Sequence, residues 1–127
     1  MKYKEVQEIA KKTIDYIKSE IKVGMSLIEV REKCENKMLD LGADSFWYWD
    51  VGAFIFANDE TSLSISGKSY NTSDKEINSN DIITIDLSPQ NSNIWGDYAR
   101  TIIIEDGIVV NNIKDIKNSR IFLSRTR

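Results

Sequence analysis

Apolar residues recur at intervals of three and four from Lys4 to Ile21, at Val6, Ile9, Ala10, Ile14, Ile17 and Ile21, with Thr13 on the same stripe. That is the period of a helix with one buried face, and Gly24 lies just past its end. Ser26 followed three residues later by Glu29 is the pattern of a capping box. Leu27, Val30, Cys34, Met38 and Leu41 then carry a second amphipathic helix to a stop at Gly42. Beyond Gly42 the texture changes to short apolar runs: "FWYWDVGAFIF", "TSLSIS", "DIITIDL" and "YARTIII", the last turning at Asp106-Gly107 into "IVV". These predict strands, most of them antiparallel, so the chain reads as α+β, two helices followed by a mainly antiparallel sheet. "NTSDKEINSND", Asn71 to Asp81, has no apolar period and is predicted to be a surface loop.

A length of 127 residues suits one domain or a piece of one, with 29% charged and 41% hydrophobic residues as in ordinary globular proteins. The net charge of -3 gives no electrostatic reason to expect nucleic acid or an anionic membrane as partner. "MKYKEVQEIAKK" carries charge at every turn, unlike a signal peptide or a membrane span, and a cytoplasmic location is expected. The single cysteine, Cys34, sits at an apolar-periodic position and is expected to be a buried thiol with no role in chemistry. Histidine is absent, which excludes any Ser/His or Cys/His arrangement within these residues.

Candidate chemistry lies in "IDLSPQNSNIWGDYART", Ile85 to Thr101, where Asp86 and Asp97 interrupt two apolar runs although Asp is a poor strand residue. Alternation groups Ile83, Ile85 and Leu87 on one face of the first strand and Ile82, Thr84 and Asp86 on the other. In the second strand it groups Asp97, Ala99, Thr101 and Ile103. An antiparallel pairing around "SPQNSNIW" permits Asp86 to stand opposite Asp97, with side chains roughly 4.5 to 5.5 Å apart at Cβ. Two carboxylates that close repel unless one is protonated or a cation lies between them. A divalent metal resolves the conflict; strand-end aspartates bonded to backbone groups are the plainer alternative. The aromatics Phe46, Trp47, Tyr48 and Trp49, with Trp95, are either core or the lining of a pocket.

"NDIITIDLSPQNSNIWGDYARTI" resembles the first metal-ligand segment of the methionine aminopeptidase, aminopeptidase P, prolidase and creatinase superfamily, in which a strand ending in Ile-Asp and a turn precede Gly-Asp-x-x-Arg-Thr. The resemblance implies a partial pita-bread fold, the first half of the catalytic domain over residues 1–119, with residues 120–127, "RIFLSRTR", outside it. It implies that Asp86 and Asp97 are metal ligands; alternation puts Thr101 on the face of Asp97, where it is expected to support that carboxylate, while Arg100 points away, and Phe46, Trp47, Trp49 and Trp95 are candidates for pocket lining. The cofactor it implies is a pair of divalent ions, manganese, cobalt, zinc or iron. Family members add one histidine and two glutamates from the second half of the domain. A further family histidine, which contacts substrate, aligns with Ser66, before Gly67.

The reading that follows is a truncated metallopeptidase of the aminopeptidase or Xaa-Pro peptidase kind, cut short or shifted in frame after Ser119, with a peptide as substrate. Its exposed sheet edges are expected to favour self-association. A catalytically inactive pita-bread module that binds protein or peptide stands beside it. Creatinase-like hydrolysis without metal is a third reading, disfavoured by the retention of both aspartates and by the missing histidine.

Overall fold

The computed structural model describes residues 1–57 and 70–110. Helix α1 spans Tyr3–Glu20 and buries the predicted stripe, Val6, Ile9, Ala10, Thr13, Ile14 and Ile17. Thr13 is tolerated there because its hydroxyl donates to the Ile9 carbonyl at 2.8 Å. Helix α2, Leu27–Asp40, starts at Ser26, whose Oγ accepts the Glu29 N–H at 3.1 Å, and buries Leu27, Val30, Cys34 and Met38. Both helix positions therefore follow the apolar period. None of the described helices is long and apolar enough to cross a membrane.

Among the described residues seven short strands follow: β1 Ser45–Phe46, β2 Ala53–Ala57, β3 Asp81–Leu87, β4 Pro89–Asn91, β5 Ile94–Trp95, β6 Tyr98–Glu105 and β7 Ile108–Val110. They form two antiparallel sheets, one ordered β2-β3-β6-β7 and a smaller one ordered β1-β4-β5. The helices cover one face of the larger sheet. Ala53, Ile55 and Ala57 of β2, Ile83, Ile85 and Leu87 of β3, and Ile102 and Ile104 of β6 pack there against Ile14, Ile17, Leu27, Val30, Cys34 and Met38. The hairpin from β6 to β7 turns at Asp106-Gly107 as predicted, both residues having positive φ.

Two expectations are corrected. The run "FWYWDVGAFIF" is two strands separated by a turn, with Trp49 and Asp50 at φ 55° and 58°. The Phe46 ring folds back over Gly52, lying 2.7 Å from where a Cβ would stand, so the bend depends on that glycine. The stretch "SPQNSNIW" is a small hairpin of β4 and β5, turning at Ser92 and Asn93 with φ 49° and 69°. Residues 71–80 form a mostly exposed loop, as predicted, and it is tied down: the Leu27 N–H, left open at the start of α2, donates to the Lys75 carbonyl at 2.9 Å. In that loop Ile77 is a buried anchor, exchanging backbone bonds with Met25 and Gly24. "TSLSIS", Ser66, residues 111–127 and the expected boundary at 119 lie outside the described residues.

Among the described strands β2 is the outer one of its sheet, and a side chain bonds its free side. The Tyr70 hydroxyl accepts the Ile55 N–H at 2.9 Å and donates to the Ile55 carbonyl at 3.2 Å, occupying both backbone groups that face away from β3. Its ring packs on Phe54 and Phe56. Tyr70→Phe keeps the ring and leaves both groups of a buried residue without that partner, so denaturant melts are expected to show a loss of about 1–3 kcal/mol. An unchanged midpoint would show that the hydroxyl contributes nothing to the edge.

Candidate functional site

Antiparallel pairing of β2, β3 and β6 sets the face opposite the helices. The register places Phe54 opposite Asp86 and Phe56 opposite Thr84 on one side. On the other side Asp86 stands opposite Ala99 and Thr84 opposite Thr101. By alternation Phe54, Phe56, Thr84, Asp86, Asp97, Ala99, Thr101 and Ile103 project to the same side. This is a polar and aromatic face on a sheet whose reverse is aliphatic where the helices cover it, with Asp81, Tyr98 and Arg100 toward its ends.

The sequence permitted direct opposition of Asp86 and Asp97, and the structure corrects this. Asp97 precedes β6 and lies two residues before Ala99, diagonal to Asp86 rather than opposite it. The β4–β5 hairpin fixes that offset. Diagonal neighbours on a sheet are roughly 7–8 Å apart at the backbone, still within reach of two carboxyl groups that turn toward each other. They do meet: the Asp86 carboxyl is pushed up from 3.8 to about 6, first by burial, then by the negative charge of Asp97, then by a hydrogen bond with Asp97 that favours the protonated form. Phe54, packed between Tyr48 and Tyr70, faces Asp86 on the β2 side of the sheet.

Asp97 is held by its backbone. The Gln7 side chain of α1 accepts the Asp97 N–H at 2.6 Å and donates to the Asp97 carbonyl at 3.0 Å. Gly96 is buried beside it, and a Cβ there would lie 2.9 Å from Val6 and Pro89 and 3.0 Å from Gln7. The Trp47 indole N–H donates to the Gly96 carbonyl at 2.6 Å. These contacts escaped the sequence reading, although Gln7 left a signal: it occupies the helical stripe 7, 10, 14, 17, 21, whose other members are apolar.

The remaining predicted residues divide. Thr101 shares the face of Asp97 as expected, but it stands four residues along the strand, roughly 13 Å by strand rise. It is a diagonal neighbour of Asp86 instead. Arg100 points to the other face, its guanidinium 3.9 Å from the centre of the Tyr98 ring. Phe46 packs against the main core and not in a pocket. Trp47 and Trp95 stack in parallel 5.2 Å apart, and Trp95 is 57% exposed. Trp49 is likewise exposed, in the turn before β2. Cys34 is fully buried and its thiol is pushed up to about 12 by burial, so it is inert, as expected. Among the described residues no group of three or more His, Cys, Asp or Glu side chains is placed to hold a metal ion.

The raised Asp86 carboxyl has a consequence for stability. The folded chain holds a proton there that the unfolded chain has already lost, so the contribution of Asp86 to stability falls as pH rises from about 4 to 6. Asp86→Asn removes this dependence. Its melting temperature relative to the parent is expected to match near pH 4, to rise across that window and to level off above it; a difference that stays flat with pH would contradict the assignment.

Comparison with known proteins bears on the fold and the family. No curated protein matches the chain. Among the solved structures that resemble it are an X-Pro aminopeptidase from Thermotoga maritima MSB8 (TM-score 0.70, 23% identity, 81% of this chain and 27% of that one), an Xaa-Pro dipeptidase from Bacillus anthracis (0.67, 25%, 87% and 28%) and a prolidase from Pyrococcus horikoshii OT3 (0.66, 28%, 83% and 28%). The chain thus spans little more than a quarter of the length of each. The model of metallopeptidase family M24 matches residues 1–117, taking in α1, α2, every described strand and both aspartates. With two helices laid over an antiparallel sheet in the pita-bread manner, the chain belongs to metallopeptidase family M24.

Proposed function

We propose that Asp86 and Asp97 are two ligands of a divalent metal centre in a peptidase of the Xaa-Pro kind, which hydrolyses the peptide bond next to a substrate's N-terminus. The observation that carries this reading is the convergence of two carboxyl groups, one of them pushed up to about 6 in part by the charge of the other. Neither of the ion pairs Arg31–Glu35 and Lys33–Glu20 involves them. A pair of oxygen donors in mutual repulsion fits manganese, cobalt, zinc or iron as part of a ligand set, because a cation turns the repulsion into attraction. When bound, such an ion lowers the pKa of a water and polarises a peptide carbonyl.

The chain's own residues would act around that chemistry. Asp86 is half-buried against Phe54, which keeps water from screening its charge. Asp97 is fixed through its backbone by Gln7. Thr84 and Thr101, opposite one another, put two hydroxyls on the same face beside Asp86. Histidine is absent, so the histidine ligand implied by the family resemblance must come from outside these 127 residues. The same absence favours a second reading, an inactive module that uses the open face to bind peptide.

Calorimetric titration with manganese, cobalt and zinc separates the two. The metal reading expects weak binding, on the order of 0.1–1 mM for so few carboxylate donors, lost in the Asp86→Asn, Asp97→Asn double variant. Affinity should rise with pH through about 6, because the cation competes with the Asp86 proton. No heat at millimolar metal, or equal binding by the double variant, would leave the binding module as the better account.

A further inference from the structure

We infer that Gln7 is a positioning residue whose amide sets the Asp97 carboxylate against Asp86. Its consequence for metal affinity rests on the metal reading above. The sheet has a gap beside Asp97. The β3–β6 ladder ends at Leu87 opposite Tyr98, so Asp97, one residue earlier, is outside it. Ser88, which would continue the ladder opposite Asp97, donates its N–H to the Gly52 carbonyl at 2.9 Å and accepts the Trp47 N–H at 3.2 Å, both on the far side. The backbone of Asp97 therefore needs another partner.

The primary amide of Gln7 supplies one. It offers an acceptor and a donor with the spacing of a peptide group, and it uses both on one residue, at 2.6 and 3.0 Å. In effect a side chain of α1 stands where a neighbouring strand would run. Two bonds to one residue fix orientation as well as position, so the direction in which the Asp97 side chain leaves the backbone is set from a helix 90 residues away in sequence. The approach requires Gly96, since a Cβ there would come within 3.0 Å of the Gln7 Oε1. Trp47 holds the preceding carbonyl from the other side. If the amide were present for helix packing alone, nothing would require it to bond both groups of the residue that carries the carboxylate.

The test measures how strongly the two carboxylates feel each other with and without the amide. Gln7→Met keeps length and loses both bonds; Gln7→Ala serves as the second variant, in case a methionine crowds Gly96. The gain in melting temperature caused by Asp86→Asn is measured in the parent and in each Gln7 variant, near neutral pH without metal. Positioning predicts that the gain shrinks when Gln7 is replaced, because a released Asp97 swings away from Asp86, while the part that comes from the burial of Asp86 stays. A Gln7 variant that is simply less stable, with the full gain retained, would overturn the inference, as would a parent in which Asp86→Asn brings no gain. Manganese affinity, measured in parallel, is expected to weaken several-fold in Gln7→Met. Because the stability arm needs no metal, absence of manganese binding by the parent would refute the metal reading while the melting data still decide the role of Gln7.

Discussion

A slip of one residue between β3 and β6 would turn Ile83, Ile85 and Leu87 out of the core and drive Thr84 and Asp86 into it. That register is the constraint on which everything else in the molecule depends. It is enforced from one side by aliphatic burial against α1 and α2, and from the ends by the β4–β5 hairpin and the Asp106-Gly107 turn. Because a strand has only two faces, the same register that seals the core delivers Asp86, Asp97 and the two threonines to the opposite side. The carboxylates share a face as a by-product of packing that has nothing to do with them, and the Gln7 amide adjusts their approach.

Two neighbouring carboxyl groups make the sheet less stable near neutral pH than neutral residues would. Burial beside Phe54 adds to this by withdrawing Asp86 from water, and no described ion pair offsets it. Structures keep such conflicts where function uses them. In the proposed reading the conflict has a use, since a cation between the carboxylates would convert the same geometry from a cost to a source of stability. The surroundings agree with this: Gly96 is pinned by Val6, Pro89 and Trp47, and Asp97 by Gln7, so the residue least protected by the sheet is the one most held by side chains.

Much of this was legible in the sequence where physical periods are long and strong. The stripes of α1 and α2, the Ser26 cap, the Gly42 stop and the Asp106-Gly107 turn all follow from spacing, and alternation in β3 and β6 put the aspartates on one face correctly. What failed was short or non-local. The Trp47–Asp50 turn is built from aromatic residues that favour strands, and neither positive-φ position is a glycine. Strands β4 and β5 are only three and two residues long, too short for a period to show, yet they set the offset that makes Asp86 and Asp97 diagonal. Ile77 is one apolar residue in a polar run and Gln7 one polar residue in an apolar stripe. Each finds its partner only in three dimensions.

The account rests on the claim that the two aspartates interact directly, and a double-mutant cycle on stability near neutral pH tests it most directly. Asp86→Asn, Asp97→Asn and the double variant are melted under one set of metal-free conditions. Each single substitution removes the same repulsion, so the double variant should be stabilised by clearly less than the sum of the singles, a coupling in roughly the 0.5–3 kcal/mol range of contacting residues. Strict additivity would mean that the carboxylates do not meet, and the shared site would have no physical basis.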